Sequence, residues 1–217
     1  MGNRVLRDRT IPNVYGVGYM GSNSELKSSY NGKKCPIYDM WYRIIERCYS
    51  KKLHERCPTY IGCYTSDEFT DYSKWRVWYD NYQYKHDGWQ LDKDLLVKGN
   101  KIYSSETCVF LPHIINSTLT KSNKIRGKYL IGTYFDKHNN KFKVHISKYG
   151  KTTTLGYFEN EMDAHLAYKQ AKEAYLKELA EEYKDMLDPR AYIALQNYVV
   201  DIDDWYNDIV PLIFSKP

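Results

Sequence analysis

Between residues 129 and 183 the pattern of apolar positions leaves the chain little freedom. Three short segments, 129–136, 141–148 and 152–158, alternate apolar and polar side chains, and the turn signals His138-Asn-Asn140 and Tyr149-Gly150 separate them. Successive side chains of a strand point to opposite faces. Phe142, Val144 and Ile146 therefore fall on one side of the middle strand, and Lys141, Lys143, His145 and Ser147 on the other. The period then changes. Ala164, Ala167, Ala171, Ala174 and Tyr175 recur at helical spacing over residues 161–183, behind the start signal of Asn160 with Asp163. Small residues let a helix approach a sheet closely. The expectation is a three-stranded antiparallel sheet with one apolar face on a long helix and one basic face in solvent.

Upstream, the stretch Trp89 to Asn116 predicts a strand (Leu91 to Val97), a turn at Gly99-Asn100, a second strand (Thr107 to Leu111) and a helix opening after Pro112. That is a ββα unit with polar side chains where its parts meet. Before it, Met40, Trp41, Ile44, Ile45 and Cys48 make one apolar stripe on a helix from Pro36 to Ser50, and residues 51–64 predict a loop. Thr65-Ser-Asp-Glu68 has capping-box form and predicts one helix running on through Phe69, Tyr72, Trp75 and Tyr79. Tyr15-Gly-Val-Gly-Tyr-Met-Gly21 lacks the Gly-Lys-Ser/Thr ending of a phosphate loop and predicts a packing arm. The fold class expected is α+β. Its domains are a helical support with the ββα finger (1–121, finger 89–121), a basic linker (122–128), a sheet-and-helix domain (129–183) and an acidic aromatic tail (184–217).

Charge is unevenly spread. From Lys121 to Lys151 nine Lys/Arg face one acid, Asp136, whereas from Glu181 onward eight acids face three bases. A basic middle and an acidic end favour a polyanion bound by one region only. Five irregularly spaced cysteines without a Cys-x-x-Cys pair predict reduced thiols rather than a zinc ribbon. No apolar run approaches the length that spans a bilayer, so no membrane partner is expected and the cytoplasm, of a bacterial host, is the expected location. The tail after Trp205 packs back on the body or pairs with a second copy; both readings stand.

Gly132-Thr-Tyr-Phe-Asp-Lys, Lys141-Phe-Lys-Val-His-Ile, Lys151-Thr-Thr-Thr-Leu-Gly-Tyr-Phe158 and Ala164-His-Leu-Ala-Tyr168 together resemble the APETALA/ethylene-response-factor DNA-binding domain over about residues 127–180. That resemblance implies a sheet laid in the DNA major groove. Tyr134, Lys137, Lys141, Lys143, His145 and Lys151 stand at the family's contact positions, mostly Lys and Tyr where the family uses Arg and Trp. Arg126, Lys128 and Lys148 on the same basic stretch, and Arg43 and Arg47 four apart on the first helix, complete the candidate DNA contacts.

The ββα unit is similar to the HNH (ββα-metal) nuclease finger, and its pairing with the sheet domain resembles homing-type endonucleases of bacteriophages. Such a finger implies a general base, usually histidine, at the end of the first strand, and a divalent cation held by an Asp and a helix Asn or His. Asn100 matches the loop position and Asn116 the helix position, with His113 one turn earlier. Where a nuclease carries Asp-His-x-Asp, this chain has Leu91-Asp92-Lys93-Asp94. The candidate catalytic set is thus Asp92, Asn100 and His113, and the candidate Mg²⁺ ligands of an active enzyme are Asp92, Asp94 and Asn116.

Three functions follow as expectations. The first is a sequence-specific double-stranded-DNA-binding protein acting by occupancy, as a repressor does, with a degenerate nuclease finger. The second is an Mg²⁺-dependent endonuclease or nickase. The third is an inhibitor of a host protein acting through the aromatic tail.

Overall fold

A computed structural model describes residues 8–120 and 129–202. The content is mixed α and β with small sheets, as expected. The chain forms two compact units, Met1–His86 with Leu91–Val109 and Asp87–Gln90 with Phe110–Pro217.

Unit 1 begins with a small hairpin, β1 (Ser29–Tyr30) and β2 (Lys33–Lys34), and the helix α1 (Pro36–Tyr49). Pro36 at the first position fits the start of α1, where a missing N–H costs nothing. Trp41, Ile44, Ile45 and Cys48 are fully buried, so the sequence stripe is a core face. Residues 51–64 are not a featureless loop. They form α2 (Lys51–Arg56), started by Ser50 accepting the Leu53 N–H, then one 3₁₀ turn (Pro58–Tyr60) and β3 (Tyr64–Thr65). The single aromatic helix expected next is two, α3 (Asp67–Thr70) and α4 (Tyr72–Asn81). Asp71 breaks it: its carboxylate accepts the Ser73 N–H and caps α4 afresh. Phe69, Tyr72 and Trp75 still fill the core with Trp41, whose indole N–H donates to the Phe69 carbonyl at 2.8 Å.

β4 (Gln90–Asp92), β5 (Ile102–Tyr103), β6 (Val109–Leu111) and the helix α5 (His113–Leu119) occupy the stretch taken from sequence as one finger. The expected strand from Leu91 to Val97 is cut to three residues, and β4 pairs with β6. β5 pairs instead with β3, in parallel. The division between the units falls inside this stretch.

Unit 2 holds α5 and a three-stranded antiparallel sheet, β7 (Thr133–Asp136), β8 (Lys141–Lys148) and β9 (Lys151–Phe158), in the order β7-β8-β9. The helix α6 (Glu161–Glu182) touches all three strands, and α7 (Pro189–Gln196) packs on α6. Val144 and Ile146 of β8 are buried, as are Ala164, His165, Tyr175, Leu176, Leu179 and Ala180 of α6. Ala174 is exposed, so the inner face of α6 turns away from it and is less alanine-rich than its sequence suggests. Gly132, at φ +82°, is needed where it stands: a Cβ there would sit 1.9 Å from the Tyr168 ring. Buried His165 holds the same approach by a 3.1 Å contact between its Nδ1 and the Ile131 carbonyl.

Candidate nucleic-acid interface

The solvent face of the sheet is set by its register. Two residues, Tyr149 and Gly150, both at positive φ, close the β8–β9 hairpin and pair Lys148 with Lys151 and His145 with Thr154. Continued regularly, that register would set Lys143 opposite Gly156 and turn Tyr157 to the helix side. A β-bulge intervenes: Val144 pairs with Gly156 and His145 with Thr154, so Leu155 is the extra residue. Beyond it Tyr157 lies opposite Lys143, and on the other flank Tyr134 does too. The Lys143 amine rests 5.8 Å from the Tyr134 ring centroid and 5.6 Å from that of Tyr157. Its bond with Tyr134 raises the ammonium above its ordinary pKa and keeps it charged.

His145 packs against Tyr134, centroids 5.1 Å apart and ring planes tilted by 42°. Burial, and then the Lys143 charge, hold its imidazolium below the usual range, so it is neutral at pH 7. Ser147 and Thr152, opposite one another, share a 2.8 Å hydroxyl hydrogen bond. Lys141, at the end of the ladder, meets the exposed carboxylate of Glu159 at 2.8 Å. The face is therefore a central cation clamped between two half-exposed phenol rings, flanked by a neutral imidazole and a hydroxyl pair.

The other expected contacts divide. Lys137 is exposed in the β7–β8 turn, which Asp136 orders by accepting the His138 N–H at 3.0 Å. Lys148 belongs to the opposite face, bonded to Glu178 at 2.8 Å with its amine over the Tyr175 ring. Lys151, its hairpin partner, is exposed at the tip. Arg43 pairs with Asp39 and Glu46 on its own helix, and the Arg47 guanidinium lies over the Tyr60 ring at 5.6 Å. Arg126 and Lys128 lie outside the described residues, as does the tail from residue 203.

The loop between β4 and β5 in unit 1 is tied by side chains. Buried Asn100 donates its amide to the carbonyls of Lys93 and Ile102, both at 2.7 Å, and accepts the Ile102 N–H at 3.1 Å. Asp92 Oδ1 accepts the N–H groups of Asp94 (2.9 Å) and Leu95 (2.7 Å), which turns the chain and ends β4. Burial pushes the Asp92 carboxyl above the usual carboxylate range despite those two bonds. Lys93, which sequence reasoning passed over, is buried; its amine binds the Asp94 carboxylate and the Asn100 carbonyl, the latter at 2.8 Å. Nearby Cys48 and Cys108 are free thiols pushed up to about 12 by burial, and are unreactive as nucleophiles.

In unit 2, Asn116 donates its amide to Gln90 Oε1 at 2.6 Å, and His113 is exposed at the start of α5. Of the candidate metal donors, Asp94 is paired with Lys93, Asp92 accepts two backbone N–H groups on Oδ1, and Asn116 donates its amide nitrogen to Gln90. An Mg²⁺ ion would compete with the Lys93 ammonium for Asp94. Among the described residues no group of three or more His, Cys, Asp or Glu is placed to hold a metal ion, and no helix is long and apolar enough to cross a membrane. Compared with models of known families, with characterised proteins and with solved structures, the chain matches none.

Proposed function

We propose that this protein binds double-stranded DNA through the solvent face of the β7-β8-β9 sheet and acts by occupying its site. The observation that carries this reading is Lys143 held between Tyr134 and Tyr157 at the centre of that face. A clamped, charged amine among phenol and hydroxyl groups offers donors to base edges and phosphates with little side-chain entropy left to lose. A small sheet whose other face rests on α6 has the width to enter a major groove. In this reading the sheet and α6 form a domain of the APETALA/ethylene-response-factor type. The ββα stretch is a nuclease-derived finger kept as scaffold, its loop tied by Asn100, Asp92 and the Lys93–Asp94 pair.

One observation favours a second reading, metal-dependent nicking. The raised carboxyl of Asp92 is the property a carboxylate needs to serve as a general base near neutral pH. Against it, a divalent cation would have to take Asp94 from Lys93.

A combined gel-shift and nicking assay on DNA from the neighbouring genes, with and without Mg²⁺, separates the two. The proposal expects retarded, uncut DNA in both conditions. Nicks that need Mg²⁺ and vanish in Asn116→Ala would establish the second reading, and no retardation on any duplex would remove both.

A further inference from the structure

We infer that unit 1 carries a phosphate-binding surface of its own, formed by residues 51–64 and the turn that enters β5, and that its ligand is the backbone of duplex DNA; this rests on the DNA-binding reading above. Two hydrogen bonds and a strand pair join the segments. The Tyr64 N–H donates to the Lys101 carbonyl at 2.9 Å, the Lys101 ammonium donates to the Thr59 carbonyl at 3.1 Å, and Tyr64 pairs with Ile102 in parallel. Arg47 joins them through the Tyr60 ring and through its carbonyl, which contacts His54 Nε2 at 2.8 Å.

The charge here is one-sided. Lys51, Lys52 and Lys101 stand on these segments with Arg47 beside them, and the acids are Glu55 and the neighbouring Asp94, which is paired with Lys93. Three other cations of unit 1 meet carboxylates, Lys34 with Asp39, Arg43 with Glu46 at 3.1 Å and Arg76 with Asp80 at 2.7 Å, while Arg9 and Lys85 are held by backbone carbonyls. On this surface Lys101 is oriented by a carbonyl and Arg47 by a ring, contacts that aim a cation without neutralising it. Lys51 and Lys52 are exposed in the first turn of α2, where no acid accompanies them and where positive charge opposes the helix dipole. They do nothing for the helix that carries them. Ile61 and Tyr64, 57% and 50% exposed, lie on the same segment. A phenol and an aliphatic side chain among lysines suit the sugar-phosphate backbone, which takes hydroxyl donors and cations without reading sequence.

Full-length protein carrying Lys51→Ala and Lys52→Ala tests this, by fluorescence anisotropy on a 20-bp duplex across a salt series, beside wild type and Lys143→Ala. Neither lysine packs in the core, so the double variant should melt as wild type does. Its affinity should fall about tenfold near 0.1 M salt, and the log–log salt slope should shrink by about 1.8, or ~0.9 per phosphate contact. Wild-type affinity and slope in the double variant would overturn the inference while leaving the sheet reading intact. Wild-type protein that binds no duplex would overturn both. Loss in the double variant with full binding in Lys143→Ala would uphold the unit 1 surface and remove the sheet.

Discussion

Asp92 is the residue where two accounts of this chain part. As a turn former it needs only an oxygen that accepts the Asp94 and Leu95 N–H groups; as a base it needs a charge. Because burial raises its pKa in the folded protein, the carboxyl takes up a proton more readily folded than unfolded. Its contribution to stability is therefore fully present below the unfolded value, ~3.9, and is lost as pH rises through the folded one. Asp92→Asn keeps the acceptor and removes the buried charge. Denaturant melts should show its stability relative to wild type improving from pH 4 to pH 7, with Asp92→Ala lower than Asp92→Asn by about 1 kcal/mol. A gap between wild type and Asp92→Asn that does not move with pH would mean the carboxyl is not desolvated. Gly132 is a second single-residue test. A Cβ there meets the Tyr168 ring in a left-handed backbone, so Gly132→Ala should cost more than about 2 kcal/mol, read from the shift in denaturant midpoint. The sequence marked Asp92 as a candidate base and metal ligand in a histidine's place, but not its burial or its turn-forming bonds, and it marked Lys93 only as a charge beside it.

Elements were legible where one period ran unbroken. α1 and α6 and the three strands of the sheet lie within a few residues of expectation, because each has a continuous apolar stripe or a clear turn at its ends. The expectations failed where a polar side chain reorganises the backbone locally. Asp71 splits one helix into two, Ser50 starts α2 in an expected loop, and Asp92 with Asn100 turns an expected seven-residue strand after three. Such bonds depend on which side chain finds which N–H, and hydrophobic periodicity does not carry that. The Leu155 bulge is the costliest omission. A single extra residue decides that Tyr157 faces Lys143 rather than the helix, and nothing in the alternation of β9 announces it. Asn100 offers the test at this scale. Its three side-chain bonds hold the β4–β5 loop, so Asn100→Ala should destabilise the protein by about 2–3 kcal/mol through the polar groups it strands. Limited proteolysis should then cut first between residues 93 and 101. Unchanged stability would remove the loop's claim to be a scaffold.

Across the whole molecule, the basic middle of the sequence pointed to a polyanion, and among the described residues part of that charge meets carboxylates while Lys137 and Lys151 stay exposed. Lys141 and Lys148 meet glutamates, His145 is neutral, and Lys143 alone occupies the centre of the sheet's solvent face between two rings. The face is better made for oriented donors than for bulk charge, and the phosphate contacts would come from the edges and from unit 1. Such a binder shows both a sequence preference and a salt dependence, and the two should separate by mutation. The measurement that bears most directly on this account is duplex affinity as a function of salt for wild type, Lys143→Ala and Tyr157→Ala. With six or so phosphate contacts, wild-type affinity should fall roughly a thousandfold from 50 to 200 mM salt. Both variants should bind more weakly at every salt and lose discrimination among sequences. Affinity that is flat with salt, or variants that bind and discriminate as wild type does, would contradict it.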